Sequence, residues 1–398
     1  MYKKKHGFNQ IDMQDMNRSL LLNLLRKENV CARTELAKMS SLKQATVTNI
    51  VNDFINWGLV KETGFLPGIK GRRSIGITIN NDDYGIIGVQ LARKHYFVGL
   101  YNLSGSRIDH VRINLESEYE PRIIMDDIIA LIQKFIDENK NREILAIGMA
   151  IPGPYNSKTR KIELMTGYMG WGDINIQEEL ENRFNVPVHL EHDANAGAIA
   201  QYWYDEERCE NDSFAYIADG QGVGAGIIVH GELLKGSMGT AGEIGHMSIN
   251  YNGPRCSCGN YGCLEHYCST IELVKEVNRI LKPDKDYTFS EVKKMIQQGN
   301  PIAKEVFSLC CDYLAIGITN IINIFNPAVI VIGDEMAHII PDEMLERVKQ
   351  RVKTRVLPDL YNNVTIRMSS VEDSMINGAA IVAIKDIFDR PAFYFDEN

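Results

Sequence analysis

The chain has 398 residues, a formal net charge of −9, 44% hydrophobic residues and 24% charged residues. These are ordinary values for a globular protein, so they exclude wholesale disorder and a fibrous architecture. The length allows two or three domains, each large enough to bury a core. No apolar run reaches the roughly 18–20 residues that a membrane span needs. The basic N-terminus is not followed by an apolar stretch with a cleavage site, so we expect no secretory signal.

Charge is distributed unevenly along the chain. Residues 1–80 contain 13 Lys and Arg against 6 Asp and Glu, whereas the remaining residues contain 30 against 46. A basic head on an acidic body is the distribution expected when the head alone meets a polyanion such as DNA.

Three helices are predicted in the basic head. Residues 16–27 carry leucines at helical spacing, residues 33–39 form a short second helix, and residues 43–57 form a third with an apolar stripe. The polar face of the third helix has no acidic residue before Asp53. Two helices joined by a tight turn fit a helix-turn-helix whose second helix enters the major groove. The residues predicted to contact DNA from this helix are Lys43, Gln44, Thr46, Thr48 and Asn49.

A β-hairpin is predicted after these helices. Strand-like residues 59–62 and 74–79 flank a Gly-rich loop that spans residues 64–73. Such a wing would place Lys70, Arg72 and Arg73 on phosphates or in the minor groove. The alternative is a three-helix packing module whose charges merely solvate it. The helix-turn-helix, the wing and the positive charge together favour DNA binding.

The acidic body shows two similar runs of strands and helices. The first has strands over 85–90, 96–103 and 107–115, a helix over 121–139 and a strand over 144–151. The second has strands over 213–218, 223–230, 232–235 and 329–332, with helices over 314–325 and 378–388. This duplication predicts two similar α/β lobes that face each other across a cleft.

Four motifs in the body are specific enough to identify a family. In chain order they are Ile151-Pro152-Gly153-Pro154, Glu191-His192-Asp193-Ala194-Asn195-Ala196-Gly197, Ala241-Gly242-Glu243-Ile244-Gly245-His246 and Cys256-Ser257-Cys258-Gly259-Asn260-Tyr261-Gly262-Cys263-Leu264-Glu265. Their order resembles that of the ROK family, which comprises repressors, open reading frames and sugar kinases. The resemblance covers essentially the whole chain. With its basic head the chain is similar to the repressor branch of the family, of the xylose-repressor type.

The resemblance implies an α/β fold, with a winged helix-turn-helix followed by a duplicated, two-lobed ROK body of the actin/hexokinase-like (RNase H-like) type. We expect a DNA-binding domain over residues 1–80. The first lobe would comprise residues 81–194 and 377–398. The second lobe would comprise residues 195–376 and carry a zinc loop and a dimerisation surface.

A metal site is predicted from the spacing of three cysteines. Cys256, Cys258 and Cys263 lie in a Gly-broken loop and can bring three thiolates to one ion, and His246 can supply the fourth ligand. This set predicts one structural Zn²⁺ per chain. Three free thiols in a reduced cytosol are the alternative, and Cys268 is the one rival ligand. The cysteines interpreted as packing residues are Cys31, Cys209, Cys310 and Cys311.

A sugar site is predicted from carboxylates and imidazoles, which hydrogen-bond to vicinal hydroxyls. The resemblance implies that Asp193, Glu243, His246 and Glu265 contact the sugar, with the imidazole bridging zinc and ligand. His192 departs from the family, in which Asn is common at that position. The alternative is that these acids lie on solvated loops. The full predicted sugar set is Gly153, His192, Asp193, Glu243, His246 and Glu265.

Kinase activity is not expected. Family kinases have an Asp-x-Gly-Gly-Thr turn in the first lobe, and this chain has Gln90-Leu91-Ala92-Arg93 instead. Without those glycines the backbone cannot approach the nucleotide phosphates closely. A second Gly-rich loop is kept over residues 219–226, whereas a Gly-Gly pair has become Gly333-Asp334. Asp193 would then be a vestigial base, with no catalytic residue in use.

These observations predict a cytoplasmic, sugar-responsive transcriptional repressor that binds palindromic double-stranded operator DNA. Its effector would be a small sugar bound between the lobes, and it would not bind membranes. Since one winged helix has limited affinity, we expect a homodimer or a dimer of dimers. Two alternatives remain: a sugar kinase with an appended DNA-binding head, and a regulator whose body binds a partner protein.

Overall fold

The computed structural model describes residues 9–66, 74–115, 120–153, 155–156, 161–162, 170–205 and 213–395. The contacts divide the chain into two compact units. The first unit holds Met1–Met149, Ile176–Leu190 and Ala379–Asn398, as far as these are described. The second unit holds Ala150–Asn175 and Glu191–Gly378.

The head of the first unit is a winged helix. Its elements in chain order are α1 (Gln10–Glu28), β1 (Cys31–Ala32), α2 (Arg33–Ser40), α3 (Gln44–Asn56), β2 (Val60–Phe65) and β3 (Ile75–Ile79). β2 and β3 pair as the expected antiparallel hairpin. β1 adds a third strand beside β3, which the sequence pattern did not predict because two residues carry no periodicity.

The first helix begins six residues before its predicted start. The side chain of Asn9 accepts a hydrogen bond from the Asp12 backbone N–H at 2.9 Å, and the Asp12 carboxylate accepts one from the Asn9 N–H at 3.1 Å. This reciprocal cap satisfies two free amides and stabilises a first turn that has no apolar stripe of its own. The inward face buries Leu21, Leu22 and Leu25.

The rest of the first unit is built around a five-stranded sheet in the order β10-β7-β4-β5-β6. β4, β5 and β6 form an antiparallel meander. Ile128 and Ile132 lie on the buried face of the long helix α4. The strands and helices of this part are β4 (Tyr84–Leu91), β5 (His95–Tyr101), β6 (Arg107–Asn114), α4 (Pro121–Glu138) and β7 (Glu143–Ile151), followed later in the chain by α5 (Ile176–Phe184) and β10 (Val188–His192). Between β7 and α5 the chain belongs to the second unit, where β8 (Tyr155–Asn156) and β9 (Lys161–Ile162) form a separate two-stranded sheet.

The second unit contains another five-stranded sheet, in the order β13-β12-β11-β14-β15. Its first three strands are antiparallel, and β14 and β15 are parallel to β11. The remaining elements of this unit are α6 (Asp193–Tyr204), β11 (Phe214–Asp219), β12 (Val223–Val229), β13 (Glu232–Leu233), α7 (Glu265–Cys268), α8 (Thr270–Leu281), α9 (Phe289–Gln297), α10 (Pro301–Phe325), β14 (Val329–Gly333), α11 (Pro341–Lys353), α12 (Pro358–Asn362) and β15 (Thr365–Met368). The helix α13 (Ser374–Asp389) begins in the second unit and continues into the first, to which α14 (Pro391–Phe395) belongs.

The predicted duplication is confirmed by the two sheets. Each has a three-stranded meander at one side, followed by two further strands on the other, so both have the same strand order. This is an α/β architecture with repeated halves.

The central helix of the second unit is longer than predicted. α10 begins at Pro301, where the Asn300 side chain accepts hydrogen bonds from two first-turn amides. It is the one helix in the described part of the chain that is long and apolar enough to cross a membrane, and more than half of its apolar window is buried inside the unit. Leu314 and Ile318 lie in the unit's core, which is where a long apolar helix of a globular fold belongs.

Candidate functional site

The third helix of the head exposes the polar face that the sequence predicted. Lys43 precedes the helix as its N-cap, and Lys43, Gln44 and Asn49 are exposed. Thr46 and Thr48 are half-buried, and the Thr48 hydroxyl donates to the Gln44 carbonyl at 2.8 Å within the helix. The opposite face packs into the head through apolar residues that are all buried: Val47, Ile50, Val51 and Phe54.

The hairpin that follows is the wing. β2 and β3 pair from Val60 opposite Ile79 to Phe65 opposite Ile75. The predicted contact residues Lys70, Arg72 and Arg73 lie outside the described residues, as does Cys209.

A short 3-10 turn, Ile244–His246, carries two of the predicted sugar residues at once. Glu243 is its N-cap residue and His246 is its last residue. The flanking Gly242 has φ +95°, and a Cβ there would lie 1.9 Å from the Ala225 carbonyl oxygen. A Cβ on Gly245 would lie 2.2 Å from the Val223 oxygen. Only glycine allows this close approach to β12, so the glycines of the motif fix where both side chains lie.

His192 lies between two carboxylates. It is the N-cap residue of α6, and its Nε2 is 3.2 Å from Asp193 Oδ1 and 3.8 Å from Glu243 Oε1. His192 is only 7% exposed. Burial raises the pKa of Glu243, although the neighbouring imidazoles of His192 and His246 act in the opposite direction. The structure therefore brings His192, Asp193 and Glu243 together as a mixed donor and acceptor cluster.

Glu265 joins this region from the start of α7. Its Oε2 accepts a hydrogen bond from the Val223 backbone N–H at 3.1 Å. Gly153 follows β7 with φ 74°, a conformation in which a side chain would be strained, and its part in a sugar site stays a prediction.

The sequence did not predict an ion pair between Lys235 and Glu191. Lys235 Nζ lies 2.6 Å from Oε2 of the buried Glu191. The one sequence signal for this ion pair is that Glu191 begins the second of the four motifs.

The predicted metal ligands form one group. The ligand atoms of His246, Cys256, Cys258 and Cys263 all lie within 4.8 Å of one another. Sγ of Cys258 is 3.7 Å from Sγ of Cys263, and Sγ of Cys256 is 3.7 Å from Nδ1 of His246. Three thiols and one imidazole are the donor set of a structural zinc site, so these residues fit that ion. The rival ligand Cys268 lies elsewhere, fully buried, with its thiol donating to the Leu264 carbonyl.

The thiols in this group differ in acidity. Burial raises the pKa of Cys263 to about 12, and the neighbouring thiols add to the rise. At Cys256 and Cys258 burial is the largest single effect and raises the pKa, but the hydrogen bonds from backbone and side-chain groups together outweigh it, so both pKa values are lowered. The negative charges of three neighbouring thiolates repel one another. A bound cation would offset that repulsion, since cysteines coordinate metals as thiolates.

The Gly-rich turn after β11 is lined by acids. Asp219 is 1% exposed, and within the described residues neither carboxylate oxygen has a hydrogen-bond partner. Burial, together with the charges of Asp334 and Glu265, raises its pKa well above the usual range. A Cβ on Gly220 would lie 2.2 Å from Oδ2 of Asp334. The carboxylate of Asp334 therefore lies against this turn, a contact that the sequence suggested only through the unusual Gly333-Asp334 pair.

The sequence of the chain is similar to a known family and to several named repressors. A family model described as ROK family matches residues 86–386. The xylose repressor of Caldicellulosiruptor bescii is 27% identical over 395 residues, which cover 96% of this chain and 98% of the repressor. The xylose repressor of Bacillus spizizenii is 31% identical over 383 residues, with the same coverage. The DNA-binding transcriptional dual regulator NagC of Escherichia coli is 29% identical over 379 residues and is covered to 92%, as is this chain.

Solved structures share the fold. A ROK family transcriptional regulator, described as a homologue of the E. coli MLC protein, has a TM-score of 0.80 at 24% identity and covers 95% of this chain. That match extends over 97% of the regulator. A ROK hexokinase from Thermus thermophilus has a TM-score of 0.64 at 24% identity and covers 76% of this chain and 99% of the hexokinase.

Proposed function

The chain belongs to the ROK family, and from that membership we propose that it is a sugar-responsive transcriptional repressor of carbohydrate-utilisation genes. Its winged helix would bind operator DNA, and a small sugar bound by its second unit would change the affinity for that DNA. The conclusion is carried by one observation. A helix-turn-helix whose third helix has a polar outer face without an acid before Asp53 is joined to a ROK body in one chain, over the length of relatives named xylose repressor.

The sugar would be held by the cluster around His192. Asp193 and Glu243 present carboxylate oxygens beside the His192 imidazole, and each carboxylate is only about a quarter exposed. Vicinal hydroxyls can donate to such carboxylates while an imidazole N–H donates back, which is how a polar neutral ligand is satisfied in a partly dry site. Glu265, His246 and Gly153 complete the proposed set.

Zn²⁺ is the metal that we propose for the Cys₃His group. Four protein ligands fill a tetrahedral shell, so the ion would be structural and would leave no position for water. When bound, it would supply a cross-link between the 3-10 turn at His246 and the loop that carries the three cysteines. Since Glu243 precedes the same turn, the metal would help to hold a sugar contact in place.

The kinase alternative is less well supported. A phosphate group bound at a Gly-rich turn needs amide donors and positive charge. Here the turn has the carboxylates of Asp219 and Asp334 beside it. We therefore propose that the chain is not an enzyme. Incubation with Mg²⁺-ATP and a panel of sugars should release no ADP above the buffer control, and sugar-dependent ADP release would overturn this.

Operator DNA, a sugar effector and a cytoplasmic location follow from the proposed function. We further propose a homodimer or a dimer of dimers on a palindromic operator, without membrane contact. We also propose three domains, with the head over residues 1–80, the first lobe over 81–194 and 377–398, and the second over 195–376.

Two measurements test the repressor function. First, the full chain should select a defined set of duplexes from a random DNA pool, and failure to enrich any sequence would refute the repressor function.

Second, the selected duplex is titrated with protein in the presence of xylose, glucose, N-acetylglucosamine and other sugars. At least one sugar should change the affinity, and a thermal-shift series should show stabilisation of about 2.7 kcal/mol at a hundred times its dissociation constant. If no sugar changed the affinity or the stability, the sugar response would be refuted, and the remaining interpretation would be a regulator that is controlled by a partner protein.

A further inference from the structure

The end of the recognition helix is held by three aromatic rings from distant parts of the first unit. Trp57 is the C-cap residue of α3. Its ring stacks on Phe395 of α14, with centroids 6.1 Å apart and planes 20° apart. Phe395 also meets Tyr84 of β4 edge-on at 5.2 Å, and the Tyr84 hydroxyl donates to the Trp57 carbonyl at 2.7 Å. We call Trp57, Tyr84 and Phe395 the aromatic clamp.

The first helix of the head also contacts Trp57. The Arg18 guanidinium lies 4.8 Å from the Trp57 ring centroid and donates to Asp53 of α3 at 2.9 Å. Next to it, the Ser19 hydroxyl donates to Asp389 of α13 at 2.9 Å. Arg18 is buried, so its contacts with Trp57 and Asp53 are partly shielded from water, whereas the hydrogen bond between Ser19 and Asp389 is exposed.

Residues outside the head determine the position of Phe395. The hydroxyl of Tyr394, the preceding residue, donates to Asp386 Oδ2 at 2.8 Å and lies 3.2 Å from Nε2 of His189. Pro391 at the start of α14 is buried. α14 is therefore anchored by residues of α13 and β10, and it presents the Phe395 ring to the helix that reads DNA.

We propose that Phe395 and Trp57 are positioning residues for DNA binding, an inference that rests on the repressor function above. α3 has 13 residues and is about 20 Å long. A tilt of about 10° at its clamped end would move the N-terminal residues by about 3 Å, which is more than a hydrogen bond to a base edge tolerates. The clamp fixes that end through the Phe395 stacking and the Tyr84 hydrogen bond, so it keeps Gln44 and its neighbours in register with the bases.

The test compares two single-ring deletions on α14 in the full chain. Phe395→Ala removes the ring that contacts Trp57 and Tyr84. Phe393→Ala is the control, because Phe393 is 63% exposed and contacts Arg390 and Tyr394 of its own segment instead. Affinity is measured for duplexes selected by the unmodified chain and for the unselected random pool.

The proposal expects Phe395→Ala to weaken binding to the selected duplex by about tenfold, while binding to the random pool changes by less than about threefold. Phe395→Tyr, which keeps the ring, should restore specific binding. Tyr84→Phe, which keeps the fold and removes only the hydroxyl bond to Trp57, should give a smaller loss of the same kind.

Three results distinguish the possible failures. Unchanged specificity in Phe395→Ala and Tyr84→Phe overturns the positioning role while leaving the repressor intact. Equal losses on selected and random DNA also overturn it, since they indicate lost charge contact or unfolding. If the unmodified chain selects no sequence, the repressor function fails first and the inference fails with it. Thermal unfolding and metal content of each variant show whether it is folded.

Discussion

Glu243 and His246 flank the same 3-10 turn, so one backbone segment serves both a proposed sugar contact and a proposed metal ligand. The turn lies against β12 through Gly242 and Gly245, whose backbones approach carbonyl oxygens more closely than any side chain would allow. At the scale of single residues, a substitution in the metal group should therefore also weaken the binding of sugar.

Cys258→Ser should remove the metal and weaken the sugar response together. Loss of one of four ligands should reduce zinc affinity by more than about 100-fold, because even partners outside the ligand shell contribute up to that much. Elemental analysis of the purified chain measures the metal, and the shift in unfolding temperature with sugar measures the response. Cys310→Ala is the control, since Cys310 is buried outside the group. A metal-free variant with an unaltered sugar response would contradict the coupling.

Glu243→Ala should give a repressor that still binds operator but no longer responds to sugar. Glu243 lies near His192 and far in sequence from α3, so DNA contacts should be unaffected. If sugar normally lowers operator affinity about a hundredfold, a coupling of about 2.7 kcal/mol should disappear. Operator titrations with and without sugar measure it, and Glu232→Ala, an exposed acid on β13, should behave as the unmodified chain. The idea fails if Glu243→Ala retains the full sugar effect.

The identities of these site residues could be predicted from motifs, whereas their contacts could not. The Cys-x-Cys and Gly-Glu-x-Gly-His patterns located the metal group, because ligand spacing and forced glycines are local properties of a chain. The pairing of Lys235 with Glu191 and the approach of Asp334 to Gly220 depend on tertiary packing between segments that are distant in sequence, so no periodicity indicates them.

Among the elements, α3 shows most directly how a pattern becomes a function. Its apolar stripe is buried and its outer face offers Lys43, Gln44 and Asn49. The N-terminal residues of a recognition helix contact base edges, and these three residues lie at or near that end of α3.

Gln44→Ala should relax the choice of base at one position of the operator. A bidentate amide contact to adenine contributes about 1–3 kcal/mol of discrimination, and the alanine variant should lose that amount on the preferred sequence only. Binding to every single-base variant of the selected duplex measures it. Asn56→Ala, at the exposed far end of the same helix, should leave the profile unchanged. Equal losses by Gln44→Ala on selected and random duplexes would contradict base reading.

Arg72→Ala should weaken binding to all duplexes alike. If Arg72 contacts a phosphate, its loss should make the slope of log affinity against log salt shallower by about one unit. Titrations over a range of salt concentrations on selected and random DNA measure the slope. A loss confined to the selected sequence would instead indicate that Arg72 reads bases in the minor groove.

Predictions of the longer elements from sequence were accurate where apolar spacing was strong, as in α3 and α4. They failed at boundaries that depend on side-chain caps. α1 begins at the reciprocal Asn9–Asp12 cap, and α10 begins at Pro301 after the capping residue Asn300. Short polar side chains determine both starts, and the spacing of apolar residues gives no information about them. The two-residue β1 is stabilised only by its pairing with β3.

At the scale of the whole molecule, the same strand order occurs in the sheets of both units, and among the described residues the winged-helix head belongs to the first unit alone. A single head reads few base pairs, so two copies related by a two-fold axis would double the contact.

The spacing between operator half-sites should therefore matter in steps of one helical turn. Inserting about five base pairs between half-sites should reduce affinity at least about tenfold, because the second head would face the wrong side of the duplex, and about ten should restore part of it. Gel-shift titrations of the three duplexes measure this, with mass photometry giving the number of chains bound. One chain per duplex with no effect of spacing would contradict a two-fold repressor.

The contact between Ser19 and Asp389 joins residues 370 positions apart in the chain. The head ends near residue 80, so at about 5–20 residues per second it is synthesised roughly 15–60 seconds before α13 and α14 are available to hold it. A nascent or prematurely ended chain would lack the ring of Phe395, so the aromatic clamp could not hold its α3. Such fragments would be poor competitors for the operator, so incomplete synthesis would not silence the genes that the finished chain controls.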